Sequence, residues 1–188
     1  MTASVYDNFL TDADAVRHDA LTSPYIDWPG HDGEVYKRIC IKEIPGLREA
    51  VERRMGPVRM LGMAYRLNYH GELPNAAIHS DLGWGTHALV LYLTRDADAH
   101  GGTAFWRHRA TGAARIDEGD TSLFEAVRGD WNNRAAWDQR GEVPMRFNRA
   151  VIYESAWFHS RYPFEAFGDC PENGRLIAVA FFTPESHQ

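Results

Sequence analysis

Four side chains could do chemistry together: His79, Asp81, His159 and Arg175. His79 and Asp81 stand two apart in Ala77-Ile-His-Ser-Asp-Leu, and in an extended segment residues two apart point to the same face. His159 follows the apolar run Val151-Ile-Tyr-Glu-Ser-Ala-Trp-Phe. Two imidazoles and one carboxylate make a facial triad suited to iron(II), with coordination positions left open for a bidentate cosubstrate and dioxygen. Arg175 opens the apolar run Arg175-Leu-Ile-Ala-Val-Ala-Phe-Phe. Period two sets it on one face with Ile177, Val179 and Phe181, and a guanidinium buried on such a face needs an anion, which its fork can grip in bidentate fashion.

Rival sets exist. A His-x-Asp pair alone is weak evidence and is matched by many surface loops. His70, His79 and His87 could form a three-histidine zinc site. However, His87 sits in an apolar run and reads as a core residue, and His70 lies in a polar loop. Arg161, two residues after His159, competes with Arg175 as the anion anchor, but its Ser-Arg-Tyr-Pro context reads as loop.

The elements that must position these groups fit in one domain, residues 1–188. The chain is 44% hydrophobic, enough for one core and too short for two ordinary domains. A net charge of −6 and the lack of a basic stripe argue against nucleic acid and anionic lipid as partners. No apolar stretch reaches the length of a membrane span, and the N-terminus has no secretory pattern, so a soluble, cytoplasmic protein is expected. Cys40 and Cys170 read as reduced structural thiols.

Thr11–Leu21 and Pro45–Met55 carry helical periodicity, the first with Thr11 and Asp14 resembling a capping box. Pro24, Pro29 and Gly30-His-Asp-Gly33 read as a loop between the first helix and a strand over Val35–Ile41. From Val58 the period becomes two, with Leu61, Met63, Tyr65, Leu67 and Tyr69 on one side and Gly62, Ala64, Arg66 and Asn68 on the other. Further strands are expected over His87–Thr94, Thr103–Trp106, Pro144–Phe147, Arg149–Tyr153 and Arg175–Phe182. The irregular stretch 107–143 reads as an insertion holding a strand near Ser122–Val127 and a short helix around Asn132–Trp137. The result is a mainly β fold, a sandwich or barrel buttressed by N-terminal helices.

These motifs resemble the iron(II)/2-oxoglutarate-dependent oxygenases, in particular the prolyl 4-hydroxylase-like branch, from about Met60 to Phe182. Leu67-Asn-Tyr69 resembles the strand before the metal pair, His79-Ser-Asp81 the His-x-Asp ligands, Leu91-Tyr-Leu-Thr94 the Tyr-Leu-Asn strand, and Gly101-Gly-Thr-Ala-Phe105 the Gly-Gly-x-Leu turn. Arg149-Ala-Val-Ile-Tyr153 through His159 is similar to the strand leading to the distal histidine. The resemblance implies a double-stranded β-helix (a jelly-roll, cupin-like barrel). It implies iron(II) held by His79, Asp81 and His159, and 2-oxoglutarate held by Arg175 and the Tyr92 hydroxyl, with Tyr69 as a second donor. O2 is the co-reactant, and succinate and CO2 are released as an unactivated C–H is hydroxylated. Related halogenases lack a carboxylate at the Asp81 position, so its presence implies hydroxylation. Two departures from the pattern are a long gap between His159 and Arg175 and the 107–143 insertion, neither expected to touch the ligands.

The substrate is expected to be a small molecule or peptidyl residue: an amino acid, a peptide-bound one or a natural-product intermediate. Arg66, Arg107 and Arg109 could receive an anionic group of it, and Trp84 and Trp157, close to the ligands in sequence, could line the cleft with Arg161. Two other classes share these features: a cupin-like metalloenzyme that uses no keto acid, and a non-catalytic barrel that binds.

Overall fold

A computed structural model describes residues 3–30, 35–74 and 76–185. Among these the chain is mainly β, with few helices, and its strands form two antiparallel sheets. The larger has the order β1-β8-β5-β10-β4-β3-β2 and the smaller β7-β6-β9. The strands are β1 (Ser4–Tyr6), β2 (Ile26–Pro29), β3 (Val35–Ile41), β4 (Val58–Asn68), β5 (His87–Tyr92), β6 (Gly102–His108), β7 (Trp137–Pro144), β8 (Ala150–Glu154), β9 (His159–Tyr162) and β10 (Arg175–Pro184). The helices are α1 (Ala13–Thr22), α2 (Leu47–Met55) and α3 (Thr121–Arg128), with a 3-10 turn at Arg134–Ala136.

The long β4–β10 ladder sets the site. Arg175 pairs with Asn68, Leu176 with Leu67, Ile177 with Arg66, and Ala178 with Tyr65. Alternation then divides both strands between two faces. Met63, Tyr65, Leu67, Leu176, Ala178, Ala180 and Phe182 join one apolar cluster with Val16 and Ala20 of α1 and Leu47, Ala50 and Val51 of α2. Tyr65 also ties α1 to the sheet: its hydroxyl and the Lys42 ammonium both donate to the Asp19 carboxylate, at 2.9 and 2.7 Å. The other face belongs to a second cluster of Ala88, Val90, Tyr92, Phe105, Val151, Tyr153, Trp157 and Ile177.

Several local expectations need correction. α1 begins at Ala13, and its cap is Asp12, whose carboxylate accepts from the Ala15 amide at 2.9 Å; Thr11 and Asp14 form no box. α2 starts two residues after Pro45, behind Gly46 in the left-handed conformation. The first loop contains the edge strand β2, which pairs with β3, and His31–Gly33 lie outside the described residues. The expected strand near Ser122–Val127 is helix α3: Asp120 caps it by accepting from Leu123 N, and Leu123 and Val127, four apart, face the same cluster. A six-residue segment with four apolar positions fits either period, and the cap decides it. The expected helix at Asn132–Trp137 shrinks to the 3-10 turn, because Trp137 already begins β7, which continues to Pro144 against β6. Arg161, assigned to a loop, lies in β9 and pairs with Thr103 of β6.

Candidate metal centre

Segment 77–81 and strand β9 meet in an isolated antiparallel bridge: His79 N donates to His159 O at 3.0 Å and His159 N to His79 O at 2.9 Å. Residues 79 and 81 then face the same way, and Asp81 N is held by Ser155 O at 2.8 Å. Ligand atoms of His79, Asp81 and His159 lie within 4.8 Å of one another. His159 Nε2 is 3.2 Å from Asp81 Oδ2, and His79 Nε2 is 3.7 Å from Asp81 Oδ1.

The orientation of each imidazole is fixed from behind. His79 Nδ1 lies 3.2 Å from Ala77 O, and His159 Nδ1 lies 2.9 Å from Trp157 O. A carbonyl only accepts, so each Nδ1 carries a hydrogen and each Nε2 is the ring atom turned toward Asp81. This tautomer and this donor set suit a first-row divalent cation such as iron(II). Burial, reinforced by the neighbouring His159, pushes the His79 imidazole down to about 4, so it is neutral and ready to ligate. Burial alone would raise Asp81, but the charges of His159, His79 and Arg66 outweigh it and hold the carboxyl below its ordinary value. Burial acts to lower His159, yet the Asp81 carboxylate wins and raises it; a bound cation would have to displace that proton.

The triad opens on a cavity of about 90 Å3 whose walls include Arg66, Asn68, Thr103, Tyr153, Arg161, Arg175, Ile177, Val179 and Phe181. Arg175 is 7% exposed, and burial brings its guanidinium down to about 10. Among the described residues no ion pair or hydrogen bond engages it. Arg161 lines the same wall, but its guanidinium donates to the carbonyls of Phe164 and Glu72. Burial, with Arg175 and Arg66 nearby, lowers it to about 9.

Tyr92 is buried behind the wall. Its hydroxyl donates to Thr103 Oγ1 at 2.7 Å and approaches Val143 O at 3.3 Å. Tyr69 faces Arg38, whose guanidinium carbon is 4.4 Å from the ring centroid. Trp84 is 43% exposed and lies 5.5 Å from Phe181, ring to ring. Trp157 is buried edge-on to Phe105. Arg107 and Arg109 are not on the cavity wall; both pair with Asp138, at 3.3 and 2.8 Å. The three-histidine alternative is not assembled: His70 is exposed beside Glu165, and His87 stacks on Phe182.

Two contributors were missed in the sequence. Tyr153 lines the cavity with its ring 4.7 Å from His159. Alternation along β8 marks it, since Ala150 and Ile152 face the helices while Val151 and Tyr153 face the site. The second is the 107–143 stretch, read from the sequence only as an insertion not expected to touch the ligands. It holds the two residues before His79: Trp131 O accepts from Ile78 N at 3.0 Å, Asn132 Oδ1 accepts from Ala77 N at 2.9 Å, and Ile78 is buried with Trp106, Ile116 and Trp137. The stretch is the clamp that holds the His79 segment.

The fold is similar to that of several solved structures. The non-heme alpha-ketoglutarate-dependent epimerase SnoN from nogalamycin biosynthesis matches with a TM-score of 0.61 at 14% identity, over 96% of this chain and 75% of that one. It has also been solved with Fe3+ and alpha-ketoglutarate. The carbocyclase SnoK from the same biosynthesis gives 0.60 at 16% identity, over 96% and 78%. AviO1 from Streptomyces viridochromogenes gives 0.58 at 15% identity, over 99% and 91%. No helix of the described residues is long and apolar enough to cross a membrane. No curated protein matches the sequence. Residues 78–182, which contain the whole triad and Arg175, match the model of a family of unknown function, DUF6445, and the chain belongs to that family.

Proposed function

We propose that this protein is an Fe(II)- and 2-oxoglutarate-dependent dioxygenase that hydroxylates an unactivated C–H of a small molecule or peptidyl residue and releases succinate and CO2. The observation that carries this reading is the pairing of two sites in one cavity. One is a His-Asp-His set with both Nδ1 atoms tied back; the other is a buried Arg175 on the same wall, with no ion-pair partner among the described residues. A metal-binding protein that used no keto acid would have no need of that cation, which costs free energy while it lacks an anion.

His79, Asp81 and His159 would hold iron(II), which when bound supplies the oxidising chemistry with dioxygen and the keto acid. Arg175 grips the far carboxylate of 2-oxoglutarate. Thr103, also on the wall, supports it: because Tyr92 donates to Thr103 Oγ1, the Thr103 hydrogen is left to donate to that carboxylate. Tyr92 thus acts through Thr103, and Tyr69 stands behind with Arg38. Apolar walls at Ile177 and Val179 limit water around the reacting groups. The strand motifs favour the prolyl 4-hydroxylase-like branch, with the two sheets closing as a double-stranded β-helix, α1 and α2 as its buttress, and residues 1–188 as one domain.

The test is succinate formation from 2-oxoglutarate with Fe(II) and O2 across a panel of amino acids, short peptides and their amides. The reading expects metal-dependent succinate stimulated by some members and lost in Asp81→Ala. Metal binding with no consumption of 2-oxoglutarate under any condition contradicts it.

A further inference from the structure

Arg175 does not exhaust the positive charge of the cavity. Arg66 lines the same wall, one step along the ladder, opposite Ile177. Its Nε is shut off from solvent without a hydrogen-bond partner, and among the described residues no carboxylate forms an ion pair with it. Its guanidinium carbon lies over the Tyr36 ring, 5.8 Å from the centroid, and the acid whose field it feels most is Asp81. Asp81 is already shared between His79 and His159. Arg161 is held by two carbonyls, and the nearby Glu72 carboxylate is occupied by Arg38 and Asn68. A divalent cation and a doubly charged keto acid cancel each other. Arg66, Arg161 and Arg175 then stand against Asp81 alone, so among the described residues the wall keeps an excess of positive charge; Arg161 is hydrogen-bonded to carbonyls, and Arg66 keeps a buried nitrogen with no partner.

The remaining wall changes character along β10. From Ile177 it runs through Val179 to Phe181, against whose ring half-exposed Trp84 packs.

We infer that Arg66 is the substrate's anion receptor, and that the substrate is an amphiphilic small molecule whose carboxylate or phosphate sits on Arg66 while its apolar body lies along Val179, Phe181 and Trp84. This rests on the oxygenase reading for the neighbouring keto acid. A guanidinium fork fits either oxyanion, and an aromatic rim takes the apolar end without specifying it. Arg66 binds and selects; it moves no proton.

The experiment titrates the Ni(II)-loaded protein, saturated with 2-oxoglutarate, with hexanoate, hexyl phosphate and hexanamide, followed by calorimetry. The expected result is that at least one anion binds tenfold or more tightly than the amide. Arg66→Met should abolish that ratio and Arg66→Lys keep part of it, while both leave 2-oxoglutarate affinity within twofold. Hexanoate and hexyl phosphate, compared with each other, tell carboxylate from phosphate. Equal binding of acid and amide, no binding of either anion, or a tenfold loss of 2-oxoglutarate affinity in Arg66→Met overturns the assignment; the last would make Arg66 a cosubstrate anchor. Melting temperature provides a separate readout. Without ligands, Arg66→Met should melt no lower than the parent, since it removes an unpaired cation; a lower melting temperature would mean that Arg66 has a structural partner. If the parent itself fails to bind 2-oxoglutarate, the oxygenase reading falls. Arg66 is then judged alone: phosphate should raise the melting temperature above chloride at equal ionic strength in the parent and not in Arg66→Met.

Discussion

The two faces of the β4–β10 ladder do opposite jobs with the same backbone. On one face Met63, Tyr65, Leu67, Leu176, Ala178, Ala180 and Phe182 pack on α1 and α2 with little polar content beyond the Tyr65 hydroxyl. One residue along, on the other face, Arg66, Asn68, Arg175, Ile177, Val179 and Phe181 line a cavity, and among the described residues neither of these two guanidiniums has a carboxylate partner. The first face stabilises through burial, at about 25 cal/mol per Å2 of apolar surface. The second gives up stability, because desolvated cations without anions raise the free energy of the folded state. A period of two lets one strand pair carry both without mixing them. On the proposed reading, function is located where the fold tolerates an unfavourable arrangement that ligands relieve.

Substitutions on each face should therefore separate stability from binding. The largest effect is expected at the triad: His79→Ala, Asp81→Ala or His159→Ala should reduce iron-dependent succinate release to background while circular dichroism stays that of the parent. Unfolding by any of these would show that the triad is also a structural tie. Next, Leu176→Ala on the packed face should cost about 2–5 kcal/mol in chemical denaturation, with 2-oxoglutarate affinity of the remaining folded protein unchanged. A weakened affinity there would mean that the faces are coupled. Arg175→Met on the cavity face should do the reverse. It removes a charge-assisted contact of about 2 kcal/mol, on the order of a 30-fold rise in the 2-oxoglutarate requirement, and leaves the apo melting temperature at or above the parent's. An unchanged requirement removes Arg175 from the site.

The smallest effect concerns the latch between α1 and β4. Burial would raise Asp19, but hydrogen bonds from Lys42 and Tyr65 outweigh it and hold its carboxyl below 3.8. A carboxyl lowered in the folded state stabilises above its unfolded value and loses that contribution as pH falls through its folded value. Asp19→Asn should thus cost about 1 kcal/mol at pH 7, and the gap from the parent should narrow below about pH 4. A gap independent of pH would place the loss in packing and not in charge.

Much of this division could be read from the residues. Alternation from Met63 to Asn68 and from Arg175 to Phe181 assigns the faces, though a bulge turns Leu61 out to solvent against expectation, and the spacing of His79 and Asp81 puts two potential ligands on one side. What could not be read belongs to backbone and long-range pairing. The acceptors that orient both imidazoles are main-chain carbonyls of Ala77 and Trp157, which leave no mark in side-chain identity. The clamp from Trp131 and Asn132 onto residues 77 and 78 spans more than fifty positions. Tyr92 was expected to touch the cosubstrate directly, and only the fold shows that its hydroxyl is bonded to Thr103, which lines the cavity while Tyr92 does not. Arg107 and Arg109 looked equivalent to Arg66 as charges, and only the fold shows that they lie off the cavity wall and pair with Asp138.

The central claim is that three donors and one guanidinium act on a single bound keto acid. Anaerobic addition of Fe(II) and 2-oxoglutarate to the purified protein tests it directly through the weak visible charge-transfer band of the chelate. The account predicts a band that saturates with 2-oxoglutarate, disappears in Asp81→Ala and needs far more 2-oxoglutarate in Arg175→Met. Fe(II) binding at the triad with no band at saturating 2-oxoglutarate would contradict it.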